Sequence, residues 1–488
     1  MASSRKSSRS KSLLNPPFTK GGGRIPLGPP LTKGGSKAGG IVARVAAQLK
    51  DIVKPRDRLV VGLSGGVDSI VLLDCLKAVA RKLRFRLSAL HVNHQLSPNA
   101  AHWAAFCRRL CRERSIPFDD VKVHVRRGDG PEAAARAARY EAYARQDCDY
   151  VVLAHHRDDQ VETFLLQLLR GAGVKGLAAM PLVRKAKGKN KKAGHPSSFI
   201  LHPSILRPLL DVTRAEIEEY ARKRRLKWVE DESNQDIYFQ RNFLRHEVLP
   251  VLARRFPAYR TTIVRSAGHL AEAARLLDEV AAADGRAYSK DGALAVEALR
   301  RLPVARARNL LRWFLAGHGV AMPTTERLEQ ALRQALTAKQ DAQVLIELDG
   351  AELRRYENRM HVVRALKAPR QYSRPWLGEK RLDLLELGGA LTFARRAGNG
   401  ISLARLRGGT VTVRLRRGGE RLRPDCRRPT RSLKNLLQEA RMPPWQRERL
   451  PLIFCGEELV WAAGIGVDCA FQAEHDEPAA RPEWRTTA

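Results

Sequence analysis

Leu59-Val60-Val61-Gly62-Leu63-Ser64-Gly65-Gly66-Val67-Asp68-Ser69, running on into Ile70-Val71-Leu72-Leu73, is the stretch on which the fold turns. An apolar β-branched run, a Ser/Gly turn and a second apolar run read as strand, loop and helix. Gly65 and Gly66 let the backbone turn tightly and expose bare N–H groups. A helix beginning near Val67 adds its positive end, so the loop is a natural cradle for an anion. Ser64 and Ser69 bring hydroxyls, and Asp68 brings a carboxylate able to hold a magnesium ion beside phosphates. The Lys-Ser/Thr ending of a Walker-type loop is missing, so transfer of a terminal phosphate is not the favoured chemistry. The plain alternative is a helix-capping turn with Asp68 as a first-turn charge.

Outward from this loop, residues 41 to about 175 alternate between strand and helix patterns. Strands are predicted at 58–63, 87–92, 120–125 and 150–154, and helices at 67–82, 100–114, 131–145 and 158–169. That rhythm predicts an α/β domain with a parallel sheet covered by helices. Ligands in such sheets lie beyond the carboxyl ends of the strands. The loop 64–69, His91-Val92-Asn93-His94 and His155-His156-Arg157-Asp158-Asp159 all fall at predicted strand ends, which makes them one candidate site.

Beyond the alternating region, the Lys-rich stretch 184–192 reads as a surface insertion, and a charged helix is predicted at 213–225. Residues 251–365 read as a mostly helical domain, with helices at 271–283, 304–317 and 325–335 and strands at 344–348 and 352–363. Residues 366–405 read as a linker. A small α+β domain follows at 406–488, with strands at 411–415, 452–454 and 458–463 and a helix at 432–440. Arg414, Arg416, Arg417, Arg421, Arg423, Arg427, Arg428, Arg431 and Lys434 make a dense basic field there, beside Trp445. A solvated face is the bland reading of such a run; RNA contact is the one favoured here. Residues 1–40 hold eight Lys/Arg, no acid, and much Ser, Gly and Pro, and read as a disordered basic tail.

Composition points the same way. Among 488 residues, 88 Lys+Arg face 51 Asp+Glu, a formal net charge of +37. A polyphosphate partner suits that surface far better than a neutral one does. The seven cysteines include no Cys-x-x-Cys pair, so free thiols, no disulfide framework and a cytoplasmic setting are expected. Cys107 and Cys111, one helical turn apart, read as core residues. No apolar run is long enough to span a membrane.

Taken together, the segments resemble the tRNA(Ile)-lysidine synthetase family of PP-loop ATP pyrophosphatases over most of residues 55–255. The resemblance is carried by the loop 64–69, by His91–His94 with Ser97-Pro98-Asn99-Ala100, and by Ala135-Arg136-Ala137-Ala138-Arg139-Tyr140. It continues through Ala154-His155-His156 with Asp158-Asp159-Gln160 and Glu162-Thr163, then Arg170-Gly171-x-Gly173, Arg207-Pro208-Leu209-Leu210, Asp231-Glu232-Ser233-Asn234 and Arg241-Asn242-x-x-Arg245. Gly418-Gly419-Glu420-Arg421, Ser432-Leu433-Lys434 and Pro443-Pro444-Trp445 look like the accessory domain of longer members. Gln95 departs from the pattern, standing where the family usually has Gly.

The resemblance implies a PP-loop domain at 41–250. The activity it implies is ligation of L-lysine to C2 of the first-anticodon-position cytidine in a CAU-anticodon tRNA(Ile). ATP first adenylates the base at its C2 oxygen, and the lysine ε-amine then displaces AMP. Residues 64–69 would bind ATP, with Asp68 organising Mg²⁺. Arg139 suits the α-phosphate because a guanidinium fork matches phosphate oxygens; otherwise it is a helix-surface arginine. Asp159 and Glu162 lie three apart, on one helical face, and would bind lysine or take its proton; otherwise they complement the helix dipole. Arg207, Arg241, Arg245, Arg414, Arg421 and Lys434 are the candidate tRNA contacts, and a homodimer is the implied assembly. Two rivals remain. A tRNA sulfur-transferase would need a cysteine arrangement that is absent, and a non-catalytic RNA-binding protein would have little use for an intact loop with Asp159 and Glu162.

Overall fold

The computed structural model describes residues 40–95, 97–124, 131–185, 203–290, 292–338, 344–364, 369 and 371–486. The predicted tail at 1–40 and most of the Lys-rich insertion therefore lie outside the described residues. The chain divides into two compact units, the boundary falling between Leu276 and Leu277.

The first unit is built on a six-stranded sheet. Its strands are β1 (Arg58–Gly62), β2 (Arg86–Asn93), β3 (Phe118–Lys122), β4 (Tyr150–Val152), β5 (Val183–Arg184) and β6 (Ser204–Leu206), in the order β3-β2-β1-β4-β6-β5. All neighbours pair in parallel except β5 against β6. Leu59, Val60 and Val61 are all buried, as a central strand covered on both faces requires. Helices α1 (Ile41–Leu49), α2 (Val67–Leu83), α3 (Ala100–Glu113), α4 (Pro131–Ala144), α5 (Arg157–Leu169), α6 (Val174–Leu177) and α7 (Arg214–Lys223) complete the unit's main layers. Ile70, Leu72, Leu73 and Leu76 of α2 are fully buried, so this helix is core nearly all round.

The strand order places the site. From β1 the chain steps outward to β2 and β3, then returns to lay β4 on the other side of β1. The crevice beyond the carboxyl ends of β1 and β4 is the topological switch point, where open α/β sheets bind ligands. The loop 64–69 leaves β1 there, and His155–Asp159 leave β4. Gln95, at φ +57°, holds the left-handed turn that a glycine adopts without strain. Its N–H is held by Asn93 Oδ1 at 2.9 Å. Cys75, Cys107 and Cys111 are fully buried, and burial pushes the Cys75 and Cys107 thiols up to about 12.

In the second unit, helices Val296–Arg301, Val304–Gly317 and Thr325–Thr337 pack through Leu310, Leu311 and Leu332 against a five-stranded sheet. The predicted strand 352–363 is instead a hairpin, Ala351–Tyr356 paired with Arg359–Arg364. Glu357 and Asn358 both take positive φ, the turn geometry that matches strand twist.

The expected linker is also corrected. Within 371–405 lie strands Ser373–Pro375, Arg381–Leu384, Gly389–Ala397 and Ile401–Ser402. The last two pair with the terminal strand Pro478–Thr486, a partner about ninety residues away that local pattern cannot reveal. Cys426 and Cys469 form a disulfide, against the expectation of free thiols. Backbone bonds between Arg423 and Cys469, and from Arg423 N to Asp468, hold the two segments together. Trp445 is buried against Tyr356 and His361, at ring separations of 6.0 and 5.4 Å, so it offers no open face.

Candidate active site

A cavity of about 1580 Å³ opens at the switch point, lined by the loop 64–69, His91–His94, Arg139, His155, His156, Asp159 and Glu162. The three strand-end motifs are thus brought together. Gly65 takes φ +92°, and a Cβ there would lie 2.8 Å from Val229. Val229 N donates to Gly65 O at 3.0 Å, pinning the loop from behind. Gly62 is needed for space, because a Cβ would meet the Tyr143 hydroxyl at 2.6 Å. Ser69 Oγ donates to Gly66 O at 2.9 Å, and Gly66 N to Ser64 Oγ at 3.3 Å, closing the loop on the start of α2. His91 Nδ1 donates to Leu63 O at 2.9 Å and joins the loop to β2.

Asp68 is held by residues far away in the chain. Arg214 Nη1 reaches Asp68 Oδ2 at 2.7 Å, while its Nε bonds Glu218 at 2.7 Å and its backbone N bonds Asp158 Oδ2 at 3.0 Å. Asp68 Oδ1 is buried with no hydrogen-bond partner, 3.7 Å from His156 Nε2. Burial pushes the Asp68 carboxyl up, against the pull of His156 and Arg214. An orphaned carboxylate oxygen beside a glycine turn at a helix N-terminus fits a magnesium ion shared with phosphates. Among the described residues no cluster of three or more His, Cys, Asp or Glu could hold a metal alone. A single carboxylate plus substrate oxygens is therefore the arrangement these residues suit.

Asp159 and Glu162 share the first turns of α5 but sit in different surroundings. Asp159 Oδ2 accepts the N–H of His156 at 2.9 Å, as a helix cap. Burial pushes this carboxyl up, but His156, His155 and Arg241 outweigh it and hold Asp159 below its usual range. Glu162 is 0% exposed. Arg245 grips it at 2.8 and 3.0 Å, and Arg241 Nε lies 3.2 Å away. These two arginines come from the turn Gln240–Phe243 and the π-helical turn Leu244–Val248 that follows it. Glu162 thus spends its carboxylate on Arg241 and Arg245, both expected as tRNA contacts. Asp159, with Arg245 no nearer than 3.7 Å, is the less committed acid.

Arg139 Nε bonds His94 Nε2 at 3.2 Å on the opposite wall. Burial and Arg139 push the His94 imidazole down to about 4, and burial pushes His155 down to about 3. Both are neutral at pH 7. Arg207 does not reach the cavity. It is 2% exposed and donates to Pro181 O at 2.9 Å. Sequence reasoning missed Arg214 and Arg260 as site residues, and it placed Asp158 in the site without giving it a role. Arg260 pairs with Asp158, whose other oxygen caps Arg214 N, so these residues tie three helices to the crevice.

Residues 41–252 match the PP-loop domain model, 294–361 the TilS substrate binding domain, and 411–484 the TilS substrate C-terminal domain. A tRNA(Ile)-lysidine synthase of Nitrosomonas europaea is 47% identical over 427 residues, covering 87% of this chain and 91% of that protein. The chain belongs to the tRNA(Ile)-lysidine synthase family. The Coxiella burnetii tRNA(Ile)-lysidine synthase is 40% identical over 86% of this chain and 91% of its own length.

The basic field of the TilS C-terminal region is partly spent within itself. Arg414, expected to contact tRNA, bonds Glu457, the Thr412 hydroxyl and Gly456 O, and stacks on Phe454. Arg416 faces Glu420, Arg428 faces Asp425, and Arg431 pairs with Glu439. Arg421 bonds Thr430 O at 3.1 Å. Arg417, Arg423, Arg427 and Lys434 are exposed and form no ion pair among the described residues.

Proposed function

We propose that this protein ligates L-lysine to C2 of the first-anticodon-position cytidine of a CAU-anticodon tRNA(Ile), producing lysidine, AMP and pyrophosphate. Family membership supports the overall reaction, and the single observation that carries the site assignment is the meeting of a PP-loop with an ionised, weakly committed carboxylate in one cavity. In the first step the cytosine O2 attacks the α-phosphorus of ATP. An O–P bond forms, and the P–O bond to pyrophosphate breaks. Loop N–H groups at 65–67 face the charge on the leaving pyrophosphate, and Arg139 lies across the cavity for the α-phosphate. Magnesium, when bound, neutralises phosphate charge; Asp68 Oδ1 and the substrate oxygens would hold it. Arg214 then has a second role, since a guanidinium at Asp68 stands within reach of the same phosphates.

In the second step the lysine ε-nitrogen bonds to C2, the C2–O bond breaks, and AMP departs. Asp159 is the residue for the ammonium, because its surroundings keep it ionised. Glu162 acts through the arginines it fixes. Arg241 and Arg245, neutralised on one side by Glu162, border the cavity on the path of an incoming RNA strand, and Arg423, Arg427 and Lys434 are the C-terminal contacts favoured by exposure. The division into a catalytic domain at 41–250, a tRNA-binding domain at 251–365 and a C-terminal tRNA-binding domain belongs to the same proposal, with the C-terminal boundary moved back to about 371. A homodimer rests on the family resemblance and a cytoplasmic setting on the cysteine usage; among the described residues no helix is long and apolar enough to cross a membrane.

The test is direct. Folded protein, ATP, magnesium, labelled L-lysine and tRNA(Ile) bearing CAU should fix label in RNA. No incorporation with charging-competent tRNA would refute the reading.

A further inference from the structure

On either side of Phe239, which lines the cavity, and at the far end of α5, the molecule exposes large apolar side chains that its own packing does not use. Tyr238 is 84% exposed, Ile237 53% and Phe243 47%, while Leu168 and Leu169 at the end of α5 are 49% and 75% exposed. Single exposed apolar residues need no explanation, but Ile237, Tyr238 and Phe243 exposed within seven residues of one another do. They are not on a loose loop. Tyr238 N donates to Asp236 Oδ1 at 3.0 Å, Asn242 Nδ2 to Asp236 O at 2.9 Å, and Phe243 N to Phe239 O at 2.9 Å. Arg170 bonds Gln240 at 3.0 Å and Arg241 bonds Thr163 at 3.0 Å, tying the turn to α5. Tyr238 stands edge-on to Phe239 at 6.0 Å, and Phe239 lines the cavity. Arg241 and Arg245 line it too, immediately behind.

We propose that Tyr238, with Phe243 on the short helix that follows it, is a stacking platform for the unpaired nucleotides flanking the target cytidine, resting on the reading of the substrate as an anticodon loop. A rigid aromatic face backed by arginines is the surface that recognises splayed single-stranded RNA. The arginines meet phosphates and the rings meet bases. A base enters the cavity only when its neighbours unstack, and the platform replaces the stacking they lose. Electrostatics separates the two contributions: phosphate contacts release counterions and steepen the salt dependence, whereas stacking does not.

The experiment uses the full chain and tRNA(Ile) with 2-aminopurine replacing the adenosine of the CAU anticodon. Tyr238→Ala should weaken binding about ten-fold, leave the slope of log Kd against log salt unchanged, and lower the fluorescence change at 2-aminopurine. Tyr238→Phe and Tyr238→Trp should restore the affinity and the fluorescence change. KM for ATP should not move. Binding unchanged in both Tyr238→Ala and Phe243→Ala would overturn the platform, as would a loss that comes with a reduced salt slope. A shift in oligomeric state on light scattering would assign the patch to a protein interface instead. Wild-type protein that binds this tRNA without incorporating lysine would refute the reaction, whereas active Tyr238→Ala with normal affinity refutes only the platform.

Discussion

The acids and arginines of the switch-point cavity and the arginines of the C-terminal basic field look alike as lists of charges, yet the fold uses them differently. In the cavity, Asp68, Asp158 and Glu162 are mostly buried, and each is held by an arginine from a distant segment, Arg214, Arg260 and Arg245 in turn, while Asp159 is capped only by the neighbouring His156 N–H. In the C-terminal field, Arg416, Arg428 and Arg431 face acids within eight residues and Arg414 pairs with the exposed Glu457; for the exposed pairs an ion pair adds little. Charge density along a chain is therefore a poor guide to available charge. What matters is which groups the fold leaves uncommitted: Asp159 and one oxygen of Asp68 in the cavity, and Arg423, Arg427 and Lys434 outside it.

The largest effect that would break this contrast is at Asp68. Asp68→Asn should cut pyrophosphate release by about 10³-fold, because both the proposed magnesium ligand and the carboxylate facing Arg214 are lost; a quench-flow assay showing less than about ten-fold loss would remove Asp68 from the first step. Next is Arg214→Ala, expected to slow pyrophosphate release roughly 10- to 100-fold while sparing lysine transfer from pre-adenylated tRNA. Equal loss in both half-reactions would mean that Arg214 only braces α7.

A smaller effect separates the regions by pH. His155, pushed from 6.5 down to about 3 by burial, takes up protons more readily in the unfolded chain. Its stabilising contribution is full above about pH 6.5 and is lost as pH falls toward 3. By pH 5 the loss should be about 2 kcal/mol, and His155→Gln should flatten the fall in thermal stability between pH 7 and 5. The smallest effect lies in the basic field. Arg423→Ala with Arg427→Ala should weaken tRNA binding several-fold and flatten the salt slope by about one to two. Arg414→Ala should instead lower thermal stability with little change in the slope, as measured by calorimetry and filter binding.

The legible part of the molecule is the part governed by local rules. Residues 59–73 show strand, loop and helix because continuous β-branched residues, paired glycines and a buried helix follow one another without interruption. His91–His94 and His155–Asp159 could be placed beside that loop because parallel sheets gather their ligand-binding turns at one end. Arg214 was not legible. It lies 146 residues from Asp68, and nothing in Thr213-Arg214-Ala215-Glu216 signals more than a capped helix start. Glu162 was visible but its partners were not, so it looked as free as Asp159. The strands between 381 and 402 were missed because their sheet is closed by residues 478–486, Ser373–Pro375 because its partner is Val411–Arg414, and short edge segments carry a weak pattern of their own.

The account's central claim is that the cavity divides its labour, Asp68 with ATP and Asp159 with lysine. Asp159→Asn measured in the two half-reactions tests it most directly, since the amide preserves the N-cap bond. The account predicts near-normal, tRNA-dependent pyrophosphate release, accumulation of adenylated tRNA, and lysine incorporation reduced at least 100-fold with a raised KM for lysine. Pyrophosphate release falling in step with lysine incorporation would contradict it.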